Sequence, residues 1–336
     1  MKGSLKYIIS IILTAVFLYI PFRGVDLKQV IQFVSHASVL WILVFVISNL
    51  TSHFLRTLRW KVILSSVKKD TSLKNLFGSI MIGYGVSCVV PRLGEVTRAV
   101  LIGRWENLSK SSMFGTVILE RVIDLIFFCL AVFLSAILWS GNIYIKFPWL
   151  KSALYLTTLF MVLAFFFLFL VIRYKENFYN SVIKILGFFS GKIAHKSVYV
   201  FEMLIQGFSS LKGTKNYILT IILSVLIMLN YALNSYIGFY ILGMQDNVTF
   251  GMAWVLMSIG SIGVIIPTPG GLGSYQLIAT AVLTILFYFP QAESLAYAVL
   301  TQFISYFLFI FTALILFFLL NKRKENLFKI IESDIE

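Results

Sequence analysis

Two arginines and a glutamate directly follow the apolar run 76–90, in the stretch Pro91-Arg92-Leu93-Gly94-Glu95-Val96-Thr97-Arg98. A charged side chain costs about 2.5–3.5 kcal/mol at the centre of a membrane helix on insertion scales, so a charge cluster there indicates a functional site. Proline and glycine beside the cluster break the helix, and broken backbone at membrane depth must be buried in protein or line a cavity. The stretch therefore predicts one half of a substrate site.

A second break interrupts the apolar run 250–289, in the stretch Pro267-Thr268-Pro269-Gly270-Gly271-Leu272-Gly273. A helix that restarts after Gly94 or Gly273 presents free N–H groups and a partial positive charge, which bind phosphate readily. The glycines permit positive φ, and Gly270–Gly273 could form an anion-binding nest of N–H groups. The alternative is that proline and glycine only end helices at a tight packing point. Two breaks in matched positions favour the binding site.

The charged residues of the first break have structural alternatives as well. Arg92 suits a phosphate geometrically but could instead pair with Glu95 or Glu120. Glu95 lies three residues before Arg98 and in the first helical turn, so it could pair, cap the helix, carry a proton or bind an amine. The sequence leaves these roles of Glu95 open.

A third charge cluster, Glu120-Arg121-Val122-Ile123-Asp124, lies inside the apolar run 113–139. Glu120 and Asp124 are four residues apart and share a helix face, about 10 Å into the span. Because unpaired charges are costly at that depth, we expect a buried ionic network with Arg92 or Arg98. Whether Glu120 or Asp124 also carries protons stays open.

Other polar residues are assigned structural roles. We expect Arg56 and Arg59 to be interface anchors beside Trp60 at the headgroup level. The isolated histidines are expected at the surface or at helix caps; they are His36, His53 and His195. Cys88 and Cys129 lie in apolar runs and are expected to be buried, inert thiols, with no disulfide and no metal site.

Composition indicates an all-α polytopic membrane protein. The 336 residues are 59% hydrophobic and 12% charged, with a mean hydropathy of +0.92. The net charge of +14 is explained mostly by basic cytoplasmic loops, and attraction to an anionic membrane surface is the second interpretation. The sequence lacks HExxH, GxSxG, P-loop and GxGxxG motifs, so we expect no enzyme and no cofactor. Its basic residues are spread over short segments, so no nucleic-acid partner is expected.

About six full spans and two re-entrant hairpins are predicted. A polar connection with an interfacial helix covers 23–35, an amphipathic segment at 173–215 lies on the cytoplasmic leaflet, and both termini are cytoplasmic in an inner membrane. The predicted hairpins cover 76–103 and 250–289. The predicted spans are 5–22, 39–55, 113–139, 150–172, 217–242 and 295–320.

The two broken hairpins form an inverted repeat within one domain, residues 1–336. Residues 39–104 contain a span followed by a broken helix pair, and residues 217–289 contain the same arrangement. The two units enter the membrane from opposite faces. Inverted repeats with discontinuous helices that meet near the midplane are typical of transporters.

The three charged or broken motifs, together with Leu58-Arg59-Trp60, resemble one family in their order and spacing over nearly the whole chain. It is the lysylphosphatidylglycerol synthase transmembrane, flippase-like family. That family includes the flippase half of the multiple peptide resistance factor and archaeal proteins linked to dolichol-phosphate sugars. The resemblance implies lipid translocation.

Three departures from the family pattern qualify the resemblance. Gln276 stands where the family usually has a glutamate after the second break, and Ser87 and Cys88 stand where asparagines often precede the first proline. Only residues 321–336 follow the last predicted span, so we expect no soluble aminoacyl-transferase domain of the kind that the bifunctional members carry. The resemblance therefore implies translocation rather than aminoacylation.

The function predicted from the sequence is flipping of a phospholipid or polyprenyl-phosphate-linked lipid, held between the two breaks. One alternative is an integral-membrane enzyme on lipid-linked substrates that uses Glu95, Glu120 or Asp124 as acid or base. Another is a non-transporting partner of a glycosyltransferase or lipid synthase. The predicted substrate-binding residues are Arg92, Gly94, Glu95, Arg98, Glu120, Arg121, Asp124, Pro267, Pro269, Gly270, Gly271, Gly273 and Gln276.

Overall fold

The computed structural model describes residues 12, 14–65, 67–91, 93–139, 213–266 and 268–320, with isolated positions between 148 and 159. Of the first predicted span, 5–22, residues 12 and 14–22 are described and helical. Other predictions fall wholly or mostly outside the described residues: the span at 150–172, the amphipathic segment at 173–215, His195, Arg92 and Pro267.

Every regular element of the described residues is helical, which confirms the all-α class. Five helices among them are long and apolar enough to cross a membrane, at Val39–Leu64, Ser112–Leu138, Thr214–Ile241, Pro269–Leu286 and Gln291–Leu320. The chain is therefore an all-α polytopic membrane protein. The α-helices are α1 (residues 14–22), α2 (Leu27–Ser35), α3 (Val39–Leu64), α4 (Leu73–Val89), α5 (Leu93–Glu106), α6 (Lys110–Leu138), α7 (Thr214–Ile241), α8 (Phe250–Gly260), α9 (Ile262–Ile265), α10 (Ser274–Ala281) and α11 (Gln291–Leu320).

Side-chain caps explain where several of these helices begin. Asp26 accepts a hydrogen bond from the Lys28 N–H at 2.9 Å before α2. Thr249 accepts one from the Met252 N–H at 3.2 Å before α8. Such caps satisfy N–H groups that have no partner in the helix, and each typically stabilises it by about 1 kcal/mol.

Helix α2 lies within the predicted polar connection 23–35 and confirms that it contains a helix. Its buried residue Val30 packs against Ala292, Leu295 and Ala296 at the start of α11. The polar face of α2 stays exposed, so the helix covers one end of the bundle.

Helices α4 and α5 form the first hairpin around Pro91. A Cβ at Gly83 would lie 2.7 Å from the Gly94 carbonyl oxygen, so the two backbones touch. The second hairpin shows the same contact, because a Cβ at Gly263 would lie 2.5 Å from the Ser274 carbonyl oxygen. In each hairpin a glycine of the incoming limb lets the outgoing limb approach closely.

Whether the hairpins are re-entrant stays a prediction. Helix α4 has 17 residues and α5 has 14, or about 26 Å and 21 Å of helix, less than the ~30 Å hydrocarbon core. The returning limb of the second hairpin lies in the range Pro269–Leu286, which is long and apolar enough to cross on its own.

Helices α3 and α7, the first helices of the two predicted repeats, pack antiparallel along their length. The Ser38 N–H donates to the Ile241 carbonyl at 2.8 Å at one end. Asn216 Nδ2 donates to Ser65 Oγ at 3.1 Å at the other end. An inverted repeat requires this opposite direction, although the repeat bounds 39–104 and 217–289 stay predictions.

Glu106, at the end of α5, ties the first hairpin to the loop after α3. Its carboxylate accepts from Lys68 Nζ at 2.6 Å, from Asn75 Nδ2 at 2.7 Å and from the Ser72 N–H at 3.2 Å. Burial would raise the pKa of Glu106, but these three donors outweigh it and hold the pKa below its ordinary value.

We expect Glu106→Gln to lower stability at pH 7 by about 1–2 kcal/mol, because the bond from Lys68 to Oε2 is lost and the bonds from Asn75 and Ser72 to Oε1 are no longer made to a charged acceptor, while Lys68 stays partly solvated. A carboxyl with a lowered folded-state pKa stabilises the protein above its unfolded pKa of about 4.3 and loses that contribution as pH falls through the folded pKa. The difference in thermal midpoint between the wild type and Glu106→Gln should therefore be constant above about pH 5.5 and shrink below pH 4. A difference independent of pH would contradict the assignment.

Candidate functional site

A cavity of about 380 Å³ lies between the two helix breaks. Ser87 and Cys88, from the last turn of α4, line it on one side, and Gly270 from the second break lines it on the other. Residues of α3, α7, α8, α10 and α11, together with Ser261, form the rest of the walls. The two breaks therefore border one shared space.

Arg56 lies behind one wall of this cavity. Its Nη1 donates to the Tyr231 hydroxyl at 2.9 Å, and its guanidinium carbon lies 5.7 Å from the centre of the Tyr84 ring. Tyr84 and Tyr231 both line the cavity. Positive charge thus stands directly behind an aromatic wall, where the tyrosine rings interact favourably with it.

A buried ionic cluster extends from Arg56 away from the cavity. Glu120 is 0% exposed and accepts from Arg56 and Arg59 at 3.1 Å each and from Arg98 at 2.7 Å. Asp124 accepts from Arg56 Nη2 at 2.6 Å and from Arg59 Nη2. The predicted ionic network with Arg98 is confirmed.

The prediction that Arg56 and Arg59 are interface anchors is wrong. Both arginines are buried in the ionic cluster, and α3 continues past them to Leu64 instead of ending at Leu55. Trp60, predicted at the headgroup level, is fully buried and donates to Thr116 Oγ1 at 3.1 Å. Basic residues at the end of an apolar run did not mark the interface here, because carboxylates on α6 neutralise them inside the protein.

Glu95 pairs with a residue of α6 rather than along its own helix, α5. Arg121 Nε lies 3.2 Å from Glu95 Oε1, whereas Arg98 turns to Glu120, so the alternative in which Glu95 pairs with Arg98 does not form. The Glu95 side chain is 44% exposed, far more than Glu120. It borders the cluster rather than lying within it.

Arg98 keeps unused hydrogen-bonding capacity inside the protein. It is 3% exposed and lies 5.1 Å from the centre of the Trp60 ring. Its Nη1 bonds to Glu120, but Nε and Nη2 have no hydrogen-bond partner. Buried donors without partners are uncommon in native proteins, and Arg98 has two of them, whereas each of the other three arginines of the cluster has one, its Nε.

Most N–H groups of the second break are already engaged. The Gly271 and Leu272 N–H groups donate to the Thr268 and Pro269 carbonyls at 3.1 and 3.0 Å. The Gly273 N–H donates to Gln276 Oε1 at 2.7 Å, which caps α10. Positive φ at Gly270, Gly271 and Gly273 lets the chain turn this tightly, but these three N–H groups bond inside the loop and do not form an open anion nest.

The predicted site residues thus separate into three groups. Glu95, Arg98, Glu120, Arg121 and Asp124 form the ionic cluster. Gly270 lines the cavity, and the Pro269 carbonyl accepts from the hydroxyl of Tyr306 on its wall. The remaining three described glycines and Gln276 serve packing and capping: Gly94 touches Gly83, Gly273 touches α1, Gly271 is buried, and Gln276 caps α10.

The sequence analysis did not predict the neutral polar lining of the cavity. Asn234 and Gln302 are both 9% exposed in apolar helices. Buried amides in such helices would have been a usable signal, since unpaired polar groups are costly there. His53, predicted at the surface or at a cap, is buried against Tyr84 and Phe309, so that prediction is wrong. His36 bonds to the Gln32 carbonyl at the end of α2, as a capping role predicts.

Comparison with known families agrees with this architecture. The family model of the lysylphosphatidylglycerol synthase TM region matches residues 7–313. The chain belongs to this family. The resemblance inferred from the order and spacing of the motifs is confirmed.

Two archaeal proteins similar to this family member are described as UPF0104 membrane proteins. The one from Methanocaldococcus jannaschii is 23% identical over 316 residues, which cover 90% of this chain and 91% of the relative. The one from Methanothermobacter thermautotrophicus is 26% identical over 170 residues, so the match spans about half of either chain, 49% and 48%. No solved structure matches the chain.

Proposed function

We propose that this member of the lysylphosphatidylglycerol synthase TM family moves an anionic or polyprenyl-phosphate-linked lipid between the leaflets of a cytoplasmic membrane. The observation that carries the proposal is the single cavity bordered by Ser87 and Cys88 on one side and by Gly270 on the other. A headgroup seated there contacts both helix breaks at once. A transporter site at the interface of an inverted repeat has this arrangement.

The ionic cluster supports an anionic group beside the cavity, on the side where Arg56 stands behind the wall. Its four arginines face three carboxylates, so its formal charge is +1; the members are Arg56, Arg59, Arg98, Arg121, Glu95, Glu120 and Asp124. In the proposal the lipid phosphate lies toward Arg56 and the unpartnered Nη2 of Arg98, and Arg92 contributes from the first break. Arginine suits phosphate through its fork of donors.

The outer surface supports contact with acyl chains. Phenylalanine side chains on one side of α11 are exposed, at Phe303, Phe307, Phe311 and Phe318. In the proposal the acyl chains stay in the bilayer against such surfaces while only the headgroup enters the cavity. Rocking of the 39–104 unit against the 217–289 unit then opens the cavity to each leaflet in turn, with both termini cytoplasmic.

A substitution that fills the cavity should stop translocation. We expect Ser87→Trp to reduce flipping of fluorescent phosphatidylglycerol in proteoliposomes at least about tenfold. The volume of the cavity lies near the lower limit for ligand pockets, so an indole ring fills much of it. The readout is the fraction of label protected from a membrane-impermeant quencher over time.

The matched control is Val89→Trp, two residues along α4. Val89 is 68% exposed and does not line the cavity, so this variant should flip lipid at the wild-type rate. Equal translocation by wild type, Ser87→Trp and empty liposomes would refute the proposed function. Full activity in Ser87→Trp alone would refute this cavity as the route.

A further inference from the structure

The cavity between the helix breaks is walled by neutral side chains. None of the described residues that line it carries a formal charge. Five tyrosines contribute to the lining, Tyr84, Tyr231, Tyr275, Tyr297 and Tyr306. A site built for a charged group would place an opposite charge on its wall, so this lining indicates a different kind of ligand.

Gln302 presents an acceptor without a partner. Its Nε2 donates to the Gly270 carbonyl at 3.0 Å. A carbonyl oxygen only accepts, so this bond fixes which end of the amide is NH₂ and which is oxygen. Oε1 is therefore the free end, and it is buried with no hydrogen-bond partner.

Asn234 presents a second such group from the facing helix α7. Its Oδ1 is buried and has no partner, and the side chain lines the same cavity. The Tyr231 oxygen accepts from Arg56, so its own O–H hydrogen remains to be donated. The cavity thus combines unfilled acceptors with an available hydroxyl donor, and a hydroxyl-bearing ligand satisfies both.

Both signs of charge fit this cavity poorly. A phosphate oxygen placed against Gln302 Oε1 and Asn234 Oδ1 meets two acceptors, and no cationic side chain among the described lining residues balances its charge. An ammonium group finds no carboxylate on the wall and stands close to the Arg56 guanidinium behind Tyr84 and Tyr231. The remaining ligand chemistry is neutral and rich in hydroxyls.

We propose that the cavity binds an uncharged polyhydroxyl group, a sugar or a polyol. Gln302 and Asn234 accept its hydroxyl hydrogens, and the tyrosine rings pack against its C–H faces. This inference rests on the proposed function in one respect: the sugar or polyol is part of the headgroup of the translocated lipid. The phosphate of that lipid then lies outside the neutral cavity, on the side of the arginines.

Equilibrium binding to the full-length protein in phosphatidylcholine nanodiscs tests this ligand class. The probe is radiolabelled hexyl β-D-glucopyranoside, with empty nanodiscs subtracted, and the competitors are unlabelled glucoside, hexyl phosphate and hexyltrimethylammonium. We expect saturable binding that unlabelled glucoside displaces and the two charged probes displace at least about tenfold less effectively. Methyl β-D-glucopyranoside distinguishes the source, since competition by this chainless sugar indicates a free ligand and its failure indicates a lipid-linked one.

Substitutions locate the binding. Asn234→Leu removes an acceptor at nearly constant volume, and Gln302→Leu removes an acceptor together with the bond to the Gly270 carbonyl. Each should weaken glucoside binding by about threefold to tenfold. Asn230→Leu is the matched control, because Asn230 lies one turn earlier on α7 with an unpartnered Oδ1 but does not line the cavity. Its affinity should equal that of the wild type.

Three outcomes would overturn the inference: absence of saturable glucoside binding, stronger displacement by either charged probe, or an equal loss in Asn230→Leu. Lipid flipping without glucoside binding would sink this inference and leave the proposed function intact. Glucoside binding without lipid flipping would refute the proposed function and leave the assigned ligand class of the cavity intact.

Discussion

Glu120→Gln should destabilise the protein more than any other single polar substitution among the described residues. Glu120 is fully buried and accepts from three arginines, Arg56, Arg59 and Arg98. Removing one partner of a buried ion pair costs about 3–5 kcal/mol, because the opposite charge stays buried without compensation. Arg98 loses its carboxylate altogether, whereas Arg56 and Arg59 keep Asp124.

Thermal unfolding of the purified full-length protein in a mild detergent measures the effect. The matched control is Glu95→Gln, which removes a carboxylate from the edge of the same cluster. Glu95 pairs with Arg121 while its side chain is nearly half exposed, so that loss should stay below about 1 kcal/mol. Equal shifts in Glu120→Gln and Glu95→Gln would show that Glu120 is solvated in the native protein.

A double variant separates charge imbalance from lost packing. Adding Arg98→Met to Glu120→Gln removes the guanidinium that was left without a carboxylate. The methionine side chain fills much of the volume that the aliphatic part of Arg98 occupied. We expect the double variant to be more stable than Glu120→Gln alone, which is a non-additive result typical of residues in one network. Additive losses would mean that the Arg98–Glu120 contact contributes little.

Hydropathy and helix-breaking residues carried most of the fold prediction. The apolar runs that became α3, α6, α7 and α11 are long, and the proline and glycine stretches coincide with the observed breaks. The end of α3 was misjudged by nine residues, from Leu55 to Leu64, because the arginines beyond Leu55 lie on one helix face and their partners lie on α6. A rule based on local hydropathy cannot detect neutralisation by residues 64 positions away.

The candidate site was predictable only in part. Charges inside an apolar run correctly indicated the buried network of Glu120 and Asp124. Which arginines joined it depended on tertiary packing, and so did the antiparallel contact that places Tyr231 beside Arg56. The cavity itself is made from neutral residues on six helices, α3, α4, α7, α8, α10 and α11, at intervals that no local pattern connects.

Gly94→Ala should open the first hairpin. A Cβ on Gly94 would overlap the Gly83 carbonyl oxygen and Ser87 Oγ, and the carbonyl cannot rotate away as a flexible side chain could. Overpacking of this kind costs about 1–3 kcal/mol, occasionally more. The φ angle of Gly94 is not in the positive range, so the loss comes from space rather than from backbone strain.

The same substitution should also disturb the ionic cluster and the cavity, because α5 carries Arg98 and α4 carries Ser87. We expect Gly94→Ala to lower both the thermal midpoint and the rate of lipid translocation. Gly251→Ala is the control: its Cβ would meet only Thr249 Oγ1 at 3.6 Å, and alanine favours the helix by up to about 1 kcal/mol. If Gly94→Ala were as stable and active as Gly251→Ala, the two limbs of the hairpin would not be in backbone contact, and neither Arg98 nor Ser87 would be positioned by it.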